Sequence, residues 1–219
     1  MKRRISLCIA ILLVLSVMCG CNKMPAVDEN IKPEAFLSQY KTLTELYGTP
    51  WRDALKSLDI DLQEINADGL ANVGIPLQET YAGITFDVSL RFGGADEHLR
   101  GIEYTVEYSY PEAEAQLLKD LVKINRSLIS DFGDPSDTSF VFNWAEKKLG
   151  EKWNRDIAYW QDSQVLKRLL DSGCTGTLLL WNLDSIAPDN IKALGIEHSL
   201  SIYVSVYEDE GVAFITINY

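Results

Sequence analysis

The sequence predicts a mixed α+β fold, with antiparallel sheet and helices packed on one face, possible to divide into two helix-then-sheet units. Three observations lead there. Three stretches, 84–92, 102–108 and 199–207, alternate with a period of two, and one long stretch repeats apolar residues at helical spacing. An aromatic-Gly-x-Pro string also recurs, at Tyr47-Gly48-Thr49-Pro50 and again at Phe132-Gly133-Asp134-Pro135.

Taken in chain order, residues 1–20 read as a signal peptide. Lys2, Arg3 and Arg4 precede an apolar run from Ile5 to Met18 broken only by Ser6 and Ser16. A bilayer core needs about 20 apolar residues to cross, and a run of about 14 is too short for a permanent span. The run closes on Met18-Cys19-Gly20-Cys21 and turns polar at Asn22-Lys23. This string resembles the lipobox of bacterial lipoproteins, with Gly20 at the cleavage position and Cys21 as the modified residue. Met18 is a less usual residue at −3, and Cys19 at −2 is unusual. Choosing Cys19 instead would put bulky Met18 at the cleavage position, so Cys21 is preferred. The resemblance implies a diacylglyceryl group on the Cys21 thiol, often with a further acyl chain such as palmitate on the new amino terminus. Two or more chains anchor stably where one gives only marginal binding. The expected location is therefore a cell membrane or outer membrane, with the domain outside the cytoplasm and the membrane as covalent partner through Cys21.

Residues 21–33 lack periodicity, contain Pro25 and Pro33, and read as the tether. The globular part is 34–219, with 34–110 and 111–219 as its candidate sub-units. Helices are expected at about 34–47 and 50–58, the second with Thr49 capping and Pro50 first. Ile84 to Phe92 alternates apolar with Thr85, Asp87, Ser89 and Arg91, and Ile102 to Tyr108 repeats the pattern after Gly93-Gly94, which predicts a hairpin. Pro111 to Phe132 carries Leu117, Leu118, Leu121, Ile124, Leu128, Ile129 and Phe132 as a helical stripe ended by Gly133 and Pro135. A helix at about 162–172 follows, stopped by Gly173. The more uniformly apolar Thr177 to Leu183 suits a central strand. A second hairpin joins 199–207 to 212–219 through Glu208-Asp209-Glu210-Gly211.

The aromatic-Gly-x-Pro echo admits two explanations, an internal duplication or the same helix-stop chemistry used twice. The order of elements resembles the architecture of the small outer-membrane lipoprotein A and the β-lactamase-inhibitor protein, where helical pairs lie against antiparallel sheet. That resemblance rests on order and location without a motif, and carries over no functional residue. It implies a non-enzymatic protein-binding domain, with an unidentified envelope protein as partner.

Composition narrows the classes. The chain carries a formal charge of −12, and loss of Lys2, Arg3 and Arg4 with the leader takes it to −15. No basic patch offsets this, which excludes nucleic acid as a partner. Cys8 and Cys19 leave with the leader and Cys21 is lipidated, so Cys174 has no intramolecular disulfide partner and reads as a buried thiol.

No catalytic set emerges. Ser38-x-x-Lys41 fits the Ser-x-x-Lys pattern of penicillin-recognising enzymes, but the companion Ser-Asp-Asn and Lys-Thr-Gly strings are absent. His98 and His198 lie outside any metal-binding spacing and are expected at surfaces or edges. A calcium loop starting at Asp59 and Asp61 fails at Gln63, Glu64 and Leu70. The sequence therefore calls for no cofactor and no metal. The remaining candidate surface is aromatic: Trp144, Trp153, Tyr159 and Trp160 fall among polar residues, either as buried anchors or as a platform for a protein, a cell-wall glycan or a small solute. Glycan or solute binding at 144–160 is the alternative to protein binding.

Overall fold

The computed structural model describes residues 40–61, 72–93, 97–138, 146–147, 150, 161–173, 176–187, 189–195 and 197–219. The elements run α1 Tyr40–Glu45, α2 Trp51–Ser57, β1 Asn72–Tyr81, β2 Ile84–Gly93, β3 His98–Ser109, α3 Glu114–Phe132, α4 Ser163–Asp171, β4 Gly176–Asn182, α5 Asp189–Leu194, β5 Ser199–Tyr207 and β6 Val212–Asn218. All six strands form one antiparallel sheet in the order β1-β2-β3-β6-β5-β4. The fold is α+β. Helices precede a three-strand meander in each half of the chain, and the two meanders meet where β3 pairs with β6, Thr105 opposite Thr216.

Burial follows the pleat. Ile84, Phe86, Val88, Leu90 and Phe92 of β2 are buried, as are Ala213, Ile215 and Ile217 of β6 and Leu200, Ile202 and Val204 of β5. These residues share one cluster with Leu55 of α2, Leu117, Leu121, Ile124 and Leu128 of α3, and Leu166 and Leu169 of α4. Because successive strand side chains point to opposite faces, a single cluster of this composition places the helices on one face of the sheet. Aromatic residues reach across that layer with polar tips. The Tyr81 hydroxyl donates to Asp131 at 2.7 Å and the Tyr108 hydroxyl to Asp120 at 3.1 Å. Burial, with the adjacent carboxylates, pushes both tyrosine hydroxyls well up, so both stay protonated and donate. Trp181 of β4, fully buried, donates from Nε1 to the Gly133 carbonyl at 2.9 Å and so ties down the end of α3.

Several expectations are corrected. α3 begins at Glu114, and Pro111 lies in the turn ahead of it rather than at the first helical position. Pro50 is the N-cap of α2, with an extended ψ of 143° and no side-chain cap, so the helix starts one residue later than Thr49 capping would give. α4 has a side-chain cap: the Asp162 side chain accepts from the Gln164 amide. β4 is an edge strand, not a central one. Its register slips between Thr177 and Leu179, which sends both Leu178 and Leu179 into the core and makes an edge read as uniformly apolar. Its outer side is partly covered by residues 136–137, where the Ser136 amide donates to the Leu180 carbonyl at 2.7 Å. β1 is the other edge, unforeseen because Gly74 and Pro76 interrupt it. The slip between Ile75 and Gln78 accommodates the proline, which has no amide to give a ladder.

Candidate functional site

The second face of the sheet is uncovered among the described residues. It presents Thr85, Asp87, Ser89 and Arg91 from β2, Glu103, Thr105 and Glu107 from β3, and Val212, Phe214, Thr216 and Asn218 from β6, all exposed or half-buried. Register makes these one surface. Glu103 stands opposite Asn218 and Glu107 opposite Phe214, while Tyr203, Ser205 and Tyr207 of β5 stand opposite Thr216, Phe214 and Val212.

The face is divided by chemistry. Its β1–β3 side is polar: Gln78 donates to Asp87 at 2.8 Å, and Asn72 donates to Glu103 at 2.6 Å. Its β5–β6 side is aromatic. Tyr207 and Phe214 meet edge to face with ring centroids 6.0 Å apart, and Tyr207 is 49% exposed, one of two large apolar side chains so exposed among the described residues. Between the two lies a depression of about 360 Å³ lined by Arg91, Glu103, Tyr203, Tyr207, Phe214 and Asn218. The acidic turn Glu208–Glu210 rises beside the aromatic end.

At the far end of the same face, past Asn218, a second depression of about 320 Å³ is lined by Arg91, Arg100, Ser199, Ser201 and Asn218. His198 and Tyr219 also line it. The Tyr219 hydroxyl and His198 Nε2 are 2.5 Å apart with their rings edge to face, and the Tyr47 hydroxyl donates to the Tyr219 carbonyl. His198 is buried, against the expectation of a surface or edge position: its amide donates to Asp184 Oδ1 at 2.8 Å and its carbonyl accepts from the Leu183 amide, which draws it beneath the loop after β4. Burial lowers its pKa to about 4, so the ring is neutral near pH 7 and accepts or donates one hydrogen bond at Nε2 according to tautomer. His98 lies half-buried at the start of β3, next to the bridge with Pro50.

Of the residues singled out from the sequence, Cys21, Ser38, Cys174, Trp144, Trp153, Tyr159 and Trp160 lie outside the described residues. Tyr203, Tyr207 and Phe214 were missed, although a signal existed: each is a large aromatic on the solvent-facing phase of an alternating strand. Among the described residues no group of three His, Cys, Asp or Glu is placed to hold a metal ion, and no helix is long and apolar enough to cross a membrane. No family of proteins, no curated protein and no solved structure matches this chain.

Proposed function

We propose that this chain is a lipid-anchored protein of the bacterial cell envelope that binds another protein on the uncovered face of its sheet. The observation that carries the reading is the contrast between the two faces: one buried under helices, the other uncovered among the described residues and bearing Tyr203, Tyr207 and Phe214 on neighbouring strands. Exposed aromatics in contact are uncommon on surfaces that stay in water, and they are favoured as anchors at protein interfaces. Dimensions agree. Six strands about 4.8 Å apart span about 24 Å, and seven residues of strand span about 23 Å, giving about 550 Å² before side-chain relief. A standard interface takes about 800 Å² from each partner.

Charge defines the partner further. Glu107 faces Phe214 across the ladder and Glu208, Asp209 and Glu210 follow Tyr207, so a basic rim around an apolar centre is the complementary surface. The lipid on Cys21 would hold this face near the membrane.

A photo-crosslinking side chain installed at Tyr207 or Phe214 of the full lipidated chain, in its native cells, tests this. Discrete protein adducts are expected from both positions and not from Lys119 on the exposed side of α3. Absence of adducts at the sheet positions, adducts shared equally with Lys119, or adducts removed by glycosidase but not protease would overturn the reading.

A further inference from the structure

The register slip between β2 and β3 has a chemical result. Arg91 stands opposite Gly101 and Phe92 opposite Leu99, so Arg100 is an extra residue in the β3 ladder. Such a bulge re-aims side chains and is a recurrent feature beside binding sites. Here it is followed by a glycine. A Cβ on Gly101 would meet the Tyr219 main-chain oxygen at 3.5 Å and the Arg91 Cβ and Cδ at 3.6 Å, ordinary contact distances, so the arginine stem lies against the bare backbone. Arg91 and Arg100 thereby line the same depression at the end of the sheet.

Neither guanidinium is fully satisfied. Arg100 makes no ion pair among the described residues. Arg91 meets Glu103 through Nε at 3.3 Å, and its terminal nitrogens have no acceptor there. Glu103 is also engaged by Asn72 and sits on the other side of Arg91, toward the centre of the face. Opposite the arginines, the walls offer the hydroxyls of Ser199 and Ser201 and the Asn218 amide, and Glu197 is the one acidic side chain in the lining. Gathering two guanidiniums in a chain of net charge −12 places its local positive charge where neutral donors already converge.

We propose that the depression between Arg91, Arg100, Ser199, Ser201 and Asn218 is a binding site for a small oxyanion, either a carboxylate or a phosphoryl group. Guanidinium pairs recognise both through parallel, charge-assisted hydrogen bonds, and the serine hydroxyls and asparagine amide supply the remaining donors. The neutral His198–Tyr219 pair forms a fixed wall of the site rather than a source of charge. The site does not depend on a protein docking over the aromatic end of the face.

The test is titration of the full chain with inorganic phosphate and, separately, with succinate, at constant ionic strength maintained with chloride. Backbone amide NMR shifts are the readout. Saturable shifts are expected at Gly101, Ser199 and Ser201, with the affinity falling at least tenfold in Arg100→Ala and in Arg91→Ala and unchanged in Lys119→Ala. Arg100→Lys keeps the charge without the planar fork, so it should fall between wild type and Arg100→Ala. Saturation by phosphate alone assigns a phosphoryl ligand and by succinate alone a carboxylate; either supports the site. Thermal unfolding of each variant establishes that a lost shift is not a lost fold. Failure of both anions to saturate, or saturation that persists unchanged in a folded Arg100→Ala chain, would overturn it.

Discussion

His198 links the end of the sheet to acid sensitivity. Burial is the main reason its pKa falls to about 4; Asp184 opposes the shift and Lys192 adds to it. In an unfolded chain the same ring titrates at about 6.5. Between these values the unfolded state takes up a proton that the folded state refuses, so stability falls as pH drops from about 6.5 to about 4. Below about pH 4 both states are protonated and the loss is complete. Urea unfolding measured across this window should therefore show a steeper decline for the wild type than for His198→Gln, whose amide does not titrate. Parallel curves would show that the buried ring contributes nothing. The tyrosine tips behave differently. Tyr81 and Tyr108 donate to carboxylates, their own hydroxyls stay protonated throughout this window, and each such bond contributes about 1.5–3 kcal/mol.

Among the elements, the two aromatic-Gly-x-Pro strings both follow helices, but Gly133 caps α3 directly while Gly48 stands three residues beyond Glu45, the end of α1, and they lead to different places. After Gly48, with φ +80°, the Thr49 carbonyl and Gly48 amide bond to Leu99 in β3; after Gly133, with φ +74°, Ser136 and Asp137 cover the edge of β4. Gly133 combines that φ with a ψ of −162°, a region that only glycine occupies readily, so Gly133→Ala should cost about 1–3 kcal/mol from the backbone alone. At Gly48 a Cβ would come 2.6 Å from Leu194 Cδ1 of α5, which adds a steric cost to the backbone cost. Leu194 is 45% exposed and can be trimmed. In a double-mutant cycle followed by urea unfolding, Leu194→Ala should relieve part of the Gly48→Ala cost and leave the Gly133→Ala cost unchanged. The same scale explains what could be read beforehand. β2, the stretch of β3 from Ile102 to Tyr108, and β5 were legible because their apolar residues alternate, and β6 because it follows the turn after β5. β1 was hidden by Gly74 and Pro76, and β4 was placed wrongly because its slip buries adjacent leucines. The aromatic trio needed only attention to the polar phase of β5 and β6. The arginine pair could not be found that way, since Arg91 and Arg100 converge through a slip that no periodicity records.

At the scale of the whole molecule, the proposed anchor and the sheet make separate demands. If the proposed leader is removed, the net charge of −15 opposes adsorption to anionic headgroups, and in this proposal the lipid on Cys21 is the means of attachment. Cys21→Ser should consequently shift the protein from the membrane fraction to the soluble fraction on cell fractionation. Persistent membrane association of that variant would remove the anchor from the account. The sheet, meanwhile, closes late. β3 is complete by Ser109, but the strand that covers its free side begins only at Val212, and pairs such as Thr105 with Thr216 lie 111 residues apart. Throughout synthesis of the intervening chain, β3 is an open edge of the kind that recruits stray strands. The centre of the finished sheet is thus the last seam to be sewn, and a chain truncated before β6 would carry that exposed edge permanently.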